Sequence, residues 1–157
     1  MTTKTERVRR NAKEPSTVVV QGSAAGLAQE ISVGRHELAA DEPTSLGGTD
    51  TGPNPYDLLL MALGSCTSMT LALYARRKRW PLEEVTVRLR HSKVHAADCE
   101  SCDKREGLLD HIDRDVELRG SLSEEQRQRL LEIANKCPVH RTLMSKIQIQ
   151  TRLTVSA

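Results

Sequence analysis

The sequence predicts an α+β fold in a single domain, and two observations carry that prediction. Segments that alternate apolar and polar residues, as antiparallel strands do, lie on both sides of one long apolar stretch. That stretch, residues 55–79, has the start and end signals of a helix. Because 157 residues is the length of one domain, we expect residues 1–15 to form a disordered tail and residues 16–157 to form the domain.

Three strands are predicted before the helix. The segments TVVVQG, LAQEISV and GRHELAAD are rich in β-branched residues and are separated by glycines at positions 22, 26 and 34. Their short connections favour an antiparallel meander. Residues 41–54, with three glycines and two prolines, are predicted to form a loop.

The long helix is predicted to begin at Asn54-Pro55, with Asn54 as N-cap and Asp57 at the third helical position. Its end is marked by four basic residues, 76–79, followed by Trp80-Pro81. The spacing places five residues on one face, and further leucines widen the apolar surface, so we expect a central helix. The five are Leu59, Leu63, Cys66, Thr70 and Leu73.

The remaining elements follow the same reasoning. We expect a strand over Leu82–His95, a polar connection over residues 96–107, and a returning strand over Ile112–Gly120. A second helix begins at Ser123, which pairs with Gln126 in a capping box. Cys137-Pro138 ends that helix and opens a short turn through Met144, and IQIQTRLTV is predicted as a closing strand. The inward-facing residues of the second helix are predicted to be Leu130, Leu131, Ile133 and Ala134.

Composition excludes several classes of function. The net charge is only +2, and the aromatic residues are Tyr56, Tyr74 and Trp80 alone, so a basic, aromatic surface for nucleic acid is not expected. The sequence lacks a run of about 18 uncharged apolar residues, and its N-terminus lacks the apolar core of a secretory signal. We therefore expect a cytoplasmic protein with reduced cysteines and no membrane contact. The absence of phenylalanine leaves a thin core, which favours a homodimer that buries the long helix.

Two cysteines are candidates for chemistry. Cys66 lies in the apolar helix and Cys137 lies in the segment CPVHRTL. A single thiol in an apolar helix is ordinarily inert packing, whereas two thiols that meet in the fold form a redox pair. Cys66 is about three turns into its helix, beyond the reach of the helix dipole, so its activation requires a cation from elsewhere.

A second cluster has the composition of a zinc site, namely His91, His95, Cys99 and Cys102. In a strand, however, residues four apart are separated by roughly 13 Å, and an isolated CxxC is a weak metal signal. The alternatives are a metal or reactive site and a solvated loop with incidental thiols.

Three segments together resemble the OsmC/Ohr family of thiol-dependent peroxidases, in particular an OsmC-like subgroup found alone or fused to α/β-hydrolase domains. They are DEPTSLGGTDTGPNPYDLLL, HSKVHAADCESC and CPVHRTL. The resemblance covers nearly everything after the tail. It implies an intertwined homodimer with long central helices between antiparallel sheets, two active sites at the interface, and no metal or organic cofactor.

The resemblance also implies a reaction. The thiolate of Cys66 attacks a hydroperoxide and becomes a sulfenic acid, Cys137 condenses with it to a disulfide, and an external thiol or dithiol reduces that bond. Chemistry that begins at Cys137 is the alternative, with His140 either assisting proton transfer or making a structural hydrogen bond.

Family members pair an arginine of the N-terminal sheet with a carboxylate directly after the Asn-Pro. Here Tyr56 follows Pro55, so the best matches are Arg35 in the GRHEL strand and Asp57, whose alternative role is to start the helix.

The function predicted is therefore reduction of hydroperoxides by a thiol-dependent peroxidase. The alternative is a non-enzymatic OsmC-like redox-sensing or binding protein, with zinc at His91, His95, Cys99 and Cys102.

Overall fold

The computed structural model describes residues 17–95 and 108–154. The predicted N-terminal tail and Cys99 and Cys102 lie outside these residues. The chain divides into two compact units, residues 1–57 and residues 58–157, which are described in turn.

The first unit is built on a three-stranded antiparallel sheet in the order β1-β2-β3, which confirms the predicted meander. The strands are β1 (Val18–Gly22), β2 (Gln29–Val33) and β3 (His36–Ala40). The register pairs Val18 with Val33 and Gln29 with Ala40. Gly34, at φ 59°, forms the turn between β2 and β3 together with Arg35. Arg35 therefore lies in an exposed turn and not in the strand that the sequence predicted. The reason is that Gly34, which has positive φ, and Arg35 together make the two-residue turn of the hairpin.

The loop after β3 is organised around the buried carboxylate of Asp41. One oxygen accepts from the backbone N–H of Glu42 at 2.8 Å. The other accepts from the N–H and hydroxyl of Thr49 at 2.9 and 2.6 Å, and from those of Thr51 at 3.2 and 2.9 Å. The Thr49 hydroxyl, followed by the backbone N–H groups, holds the pKa of Asp41 far below its ordinary value, against the opposing effect of burial.

Two glycines let the loop fold back closely on the end of β3. A Cβ on Gly48 would lie 1.8 Å from the carbonyl oxygen of Glu42, and one on Gly52 would lie 2.7 Å from that of Ala39. Any larger residue would push the loop away from Asp41.

The long helix α1 (Pro55–Lys78) begins and ends close to the predicted residues. Asn54 Oδ1 accepts from the N–H of Asp57 at 3.0 Å, and the Asp57 carboxylate accepts from the N–H of Asn54 at 3.4 Å. At the other end, Arg79 adopts φ 56° and Trp80 N–H bonds the carbonyl of Ala75 at 2.9 Å. This left-handed closure is the one that glycine usually provides.

The buried side of α1 differs from the predicted face. It consists of Leu63, Gly64, Thr67, Leu71 and Ala75. Leu59 and Leu73, which the spacing places on one face with Leu63 and Cys66, are exposed in the single chain, so that face is only partly buried within one copy. By length and composition the helix could cross a membrane, so the expectation that the sequence lacks such a stretch was wrong. Core helices of soluble proteins meet the same criterion.

The second unit contains a long antiparallel hairpin, β4 (Leu82–His95) with β5 (Leu108–Gly120). β5 begins four residues earlier than predicted, since Leu108 pairs with His95 across the hairpin. A Cβ on Gly64 would lie 2.8 Å from Leu89 Cδ1, so α1 approaches β4 closely at this glycine.

Two further helices complete this unit, α2 (Glu124–Ala134) and α3 (Pro138–Leu143). The capping box of Ser123 and Gln126 is present as predicted. The core joins α1, α2 and the hairpin, and its buried members are Leu71, Ala75, Leu130, Ile133 and Ala134. Leu131 was predicted to face inward but is 49% exposed, because it lies beyond the edge of the buried stripe that Ile133, Leu130 and Ala134 form along α2.

The predicted closing strand does not form. Residues 146–154 have no regular structure, and Ile147, Ile149 and Leu153 are exposed. An alternating segment becomes a strand only beside a hydrogen-bonding neighbour, and none of the described strands pairs with this one.

Replacing Arg79 by glycine is expected to stabilise the protein. Arginine pays a steric cost in the left-handed region that glycine does not, so Arg79→Gly should raise the free energy of unfolding by about 1 kcal/mol in denaturant titrations. The matched control, Arg77→Gly inside the same helix, should lower it by about 1 kcal/mol. A loss of stability in both variants would contradict this account of the helix end.

Replacing Asp41 by asparagine is expected to destabilise the protein in a pH-dependent way. Because the folded state lowers the pKa of Asp41, its contribution is complete above the ordinary aspartate pKa, about 3.9, and is lost as the pH falls below it. Thermal unfolding should show a lower midpoint for Asp41→Asn at pH 7, with the gap to wild type narrowing toward pH 3. Asp50→Asn, an exposed change in the same loop, is the control and should leave the midpoint nearly unchanged. A gap that is the same at every pH would count against the charge of Asp41 as the cause.

Candidate functional site

The second unit brings the two predicted thiols together. Cys66 lies on α1 and is partly exposed, whereas Cys137 is fully buried at the junction of α2 and α3, and both are free thiols. The Cys66 side chain lies near enough to Cys137 to act on its thiol, and its hydrogen-bonding contribution lowers the pKa of Cys137. The interaction crosses from the central helix to the N-cap of α3, so residues 71 positions apart in the sequence form one site.

Cys137 is held by several hydrogen-bond donors. Its sulfur caps α3 by accepting from the backbone N–H of His140 at 3.4 Å. Burial acts to raise the pKa of the Cys137 thiol, but hydrogen bonds from the His140 N–H, from the side chains of Cys66 and Thr67 and from the Val139 N–H outweigh it. The net effect lowers the pKa, which favours a thiolate at this position.

Thr67 connects this site to β5. It is fully buried on α1, one residue after Cys66, and its hydroxyl donates to the carbonyl of Leu63 at 2.8 Å. The same oxygen accepts from Arg114 Nη1 at 3.1 Å.

Arg114 is the cation of the site. Besides Thr67, its guanidinium donates to the carbonyl of Ala134 at 3.3 Å and to Asn135 Oδ1 at 2.7 Å. These contacts tie β5 to α1 and to the end of α2, which is the segment that leads into Cys137.

His140 lies close to the same cation. Burial, and then the positive charge of Arg114, lower the pKa of His140. The lowered pKa favours the neutral imidazole at pH 7, in which one ring nitrogen accepts a hydrogen bond and the other donates one.

The two other predicted site residues lie in the first unit. Arg35 is exposed in the β2–β3 turn, and Asp57 makes the reciprocal hydrogen bonds with Asn54 that start α1. The observed contacts of Asp57 are those of a helix-start residue, which is the alternative role given for it above. The catalytic roles of Arg35 and Asp57 stay predictions.

The second cluster is only partly described. His91 Nε2 lies 2.8 Å from Asp110 Oδ1, and Lys93 Nζ lies 3.3 Å from the same oxygen. The hydrogen bond from His91, followed by that from Lys93, lowers the pKa of Asp110. β4 is continuous through His95, so the backbone keeps positions 91 and 95 roughly 13 Å apart. Within residues 17–95 and 108–154, no three acidic, histidine or cysteine side chains are grouped as a metal site, and the predicted ligands Cys99 and Cys102 lie outside those ranges.

Sequence reasoning missed Thr67 and Arg114, although the sequence carries a signal for the second. Ile112, Val116 and Leu118 alternate along β5 and face the core, and Arg114 occupies the same face. A single cation among core-facing strand positions indicates that it meets buried acceptors. Thr67 carries no comparable signal, because threonine is common inside apolar helices with its hydroxyl bonded to the preceding turn.

Comparison with known proteins agrees with this architecture. The family model described as "OsmC-like protein" matches residues 48–152, about two thirds of the chain and inclusive of Cys66, Arg114 and Cys137. A search of curated proteins found none that matches.

Several solved structures share the fold. An OsmC-like protein of Mycoplasma pneumoniae superposes with a TM-score of 0.66 at 19% identity, covering 84% of this chain and 89% of that chain. An organic hydroperoxide resistance protein OsmC of Legionella pneumophila gives 0.62 at 20% identity, with coverages of 84% and 90%.

A Vibrio cholerae protein assigned to organic hydroperoxide resistance, with captopril bound in one of its active sites, gives 0.61 at 22% identity, with coverages of 90% and 93%. At these identities the structures establish the fold, and the family model, which matches more than half of the chain, establishes the family. The chain belongs to the OsmC-like protein family.

Proposed function

We propose that this protein is a thiol-dependent peroxidase that reduces hydroperoxides in the cytoplasm, with Cys66 and Cys137 as its redox pair. The observation that carries the proposal is that the fold brings the Cys66 side chain on α1 to the Cys137 thiol at the N-cap of α3, where it contributes to lowering the pKa of Cys137. A partner thiol in this position is what a disulfide-forming cycle requires, whereas an inert packing cysteine needs none. Two of the similar structures are of proteins named for organic hydroperoxide resistance, which supports the substrate class.

Exposure decides which sulfur attacks first. Cys66 is partly exposed and Cys137 is fully buried, so an incoming peroxide reaches Cys66. The hydrogen bonds around Cys137 lower the pKa of its thiol, so its sulfur accepts negative charge more readily than an ordinary cysteine does. We assign Cys137, once deprotonated, as the base that accepts the Cys66 proton, which leaves a Cys66 thiolate facing the substrate.

The reaction then balances in three steps. The Cys66 thiolate attacks the peroxide, the O–O bond breaks, and a solvent proton completes the leaving alcohol while Cys66 becomes a sulfenic acid. The Cys137 thiol attacks that sulfur, a disulfide forms, and water leaves. An external thiol or dithiol supplies two electrons and two protons to restore both thiols.

Arg35 and Asp57 are the remaining members of the proposed site. Asp57 lies one place beyond the position at which the family resemblance implies a carboxylate, and Arg35 is the best arginine available near the N-terminal sheet. The proposed role of Arg35 is to stabilise negative charge on the attacked peroxide. Asp57 is already held at the start of α1 by Asn54, so its carboxylate has a fixed position from which to orient an arginine.

We also propose that the working protein is a homodimer. α1 leaves three apolar residues exposed on one side, spaced eight and four residues apart. They are Met61, Met69 and Leu73, which are 54%, 64% and 58% exposed. Ile149 and Leu153 in the unpaired C-terminal segment are 86% and 92% exposed. A second copy of the chain would remove both surfaces from water and give the segment a strand to pair with.

The thiol cycle predicts opposite outcomes for two serine variants. Cys66→Ser should abolish hydroperoxide-dependent consumption of a dithiol, because the attacking sulfur is gone. Cys137→Ser should lose sustained turnover but accumulate a sulfenic acid on Cys66, detected by mass spectrometry after reaction with a dimedone-type probe.

Cys99→Ser is the matched control and should retain activity. Activity that survives in Cys66→Ser would overturn the assignment of the attacking sulfur. A protein with no peroxidase activity that still cycles between dithiol and disulfide would instead favour the redox-sensing alternative.

The dimer proposal is tested by sedimentation. The wild-type protein should sediment at twice the 17.4 kDa mass of one chain, and Met69→Glu should shift it toward the monomer because the charge would be buried at the interface. Gln128→Glu adds the same charge at an exposed polar position of α2 and should leave the mass unchanged. A monomeric wild-type protein at micromolar concentration would refute the proposal.

A further inference from the structure

Arg114 differs from the other arginines of the β4–β5 hairpin. Arg88, Arg90 and Arg119 are exposed and form ion pairs with Glu117, Asp115 and Glu84 at 2.8–2.9 Å. Arg114 lies on the core-facing side of β5 and, among the described residues, donates only to neutral oxygens. Within the described part of its unit, residues 58–95 and 108–154, the structure therefore shows no carboxylate paired with its positive charge.

A cation in this environment acts on its neighbours. In a partly buried site the effective dielectric constant is low, so an uncompensated guanidinium favours negative charge and disfavours further positive charge nearby. His140 on α3 shows this effect: burial lowers its pKa, and the positive charge of Arg114 lowers it further.

Thr67 gives the cation a direct route to the thiols. The Thr67 oxygen accepts from Arg114 Nη1 at 3.1 Å, and the Thr67 side chain is one of the neighbouring groups whose hydrogen-bonding contribution lowers the pKa of Cys137. A hydroxyl has a single proton, which here is given either to the Leu63 carbonyl or to the Cys137 sulfur. By donating to the Thr67 oxygen, Arg114 polarises that O–H group and makes it a stronger donor to a sulfur anion.

We propose that Arg114 is a positioning residue of the thiol pair, which acts through Thr67 to stabilise the anionic sulfur of Cys137 and so keeps the base for Cys66 in its active form. The catalytic meaning of this inference rests on the proposed peroxidase function. Among the described residues, the ionisable groups that the contacts place around Cys137 are Cys66 from α1 and His140 from α3, with Arg114 of β5 connected through Thr67. Arg114 is the one group among them that is charged at neutral pH when the thiols are protonated.

The first test removes the charge. In a background in which Cys99 and Cys102 are serine, the ultraviolet absorbance of thiolate is titrated against pH, so that it reports Cys66 and Cys137 alone. Arg114→Gln should move the lower thiolate midpoint up by about one pH unit, and Arg114→Lys should restore most of the difference. Arg119→Gln, on the same strand but paired with Glu84, is the matched control and should not move it.

A second readout separates an electrostatic role from a merely structural one. The nuclear magnetic resonance titration of His140 should also move to higher pH in Arg114→Gln, because a nearby positive charge has been removed. Thr67→Val, which is nearly isosteric, should raise the thiolate midpoint but leave the His140 midpoint in place, and Thr67→Ser should restore the thiolate midpoint. The Thr67 variants keep the test valid if Arg114→Gln does not fold.

The outcomes are distinguishable from those that test the peroxidase. Thiolate midpoints that do not move in folded Arg114→Gln or in Thr67→Val would overturn the role of Arg114, whatever the activity of the protein. Midpoints that shift as expected in a protein without peroxidase activity would uphold the role and reject the function.

Discussion

The contact between α1 and β5 at Thr67 is the interaction on which the site depends. Arg114 reaches Thr67 because α1 lies close to the hairpin, and that approach requires the absence of a side chain at Gly64, where a Cβ would meet Leu89. Cys66 is the residue before Thr67 on α1, and it lies at the edge of the helix face that the fold buries. A rotation of α1 by one residue would bury Cys66 and remove Thr67 from Arg114.

The break between α2 and α3 provides the other half of the site. α2 ends at Ala134, and Pro138 starts α3 because proline cannot continue the preceding helix but suits a first turn. The residue between them, Cys137, is therefore an N-cap, a position at which its side chain faces unpaired N–H groups. Arg114 binds the Ala134 carbonyl and Asn135 just before this break, so one side chain holds both the helix end and the threonine beside the thiol.

Local signals made most of the fold predictable. Both helix starts, at Asn54-Pro55 and at Ser123, depend on residues within one turn of each other, and both were confirmed. The predictions that failed depend on distant partners. The face that α1 buries is chosen by Leu89 and α2, and the closing strand over residues 147–155 needs a neighbour that the described chain does not supply. The role of Arg114 was hidden for the same reason, since its charge acquires meaning only beside Thr67 and Cys137.

The Asp41 loop shows how much of a segment one side chain can hold. Five hydrogen bonds from Glu42, Thr49 and Thr51 end on a single carboxylate. Thr49 and Thr51 lie eight and ten positions beyond Asp41, so this side chain fastens the far end of the loop to its start, beside the close backbone approaches at Gly48 and Gly52. The path of the chain into α1 therefore depends on one negative charge that lies fourteen positions before the helix begins.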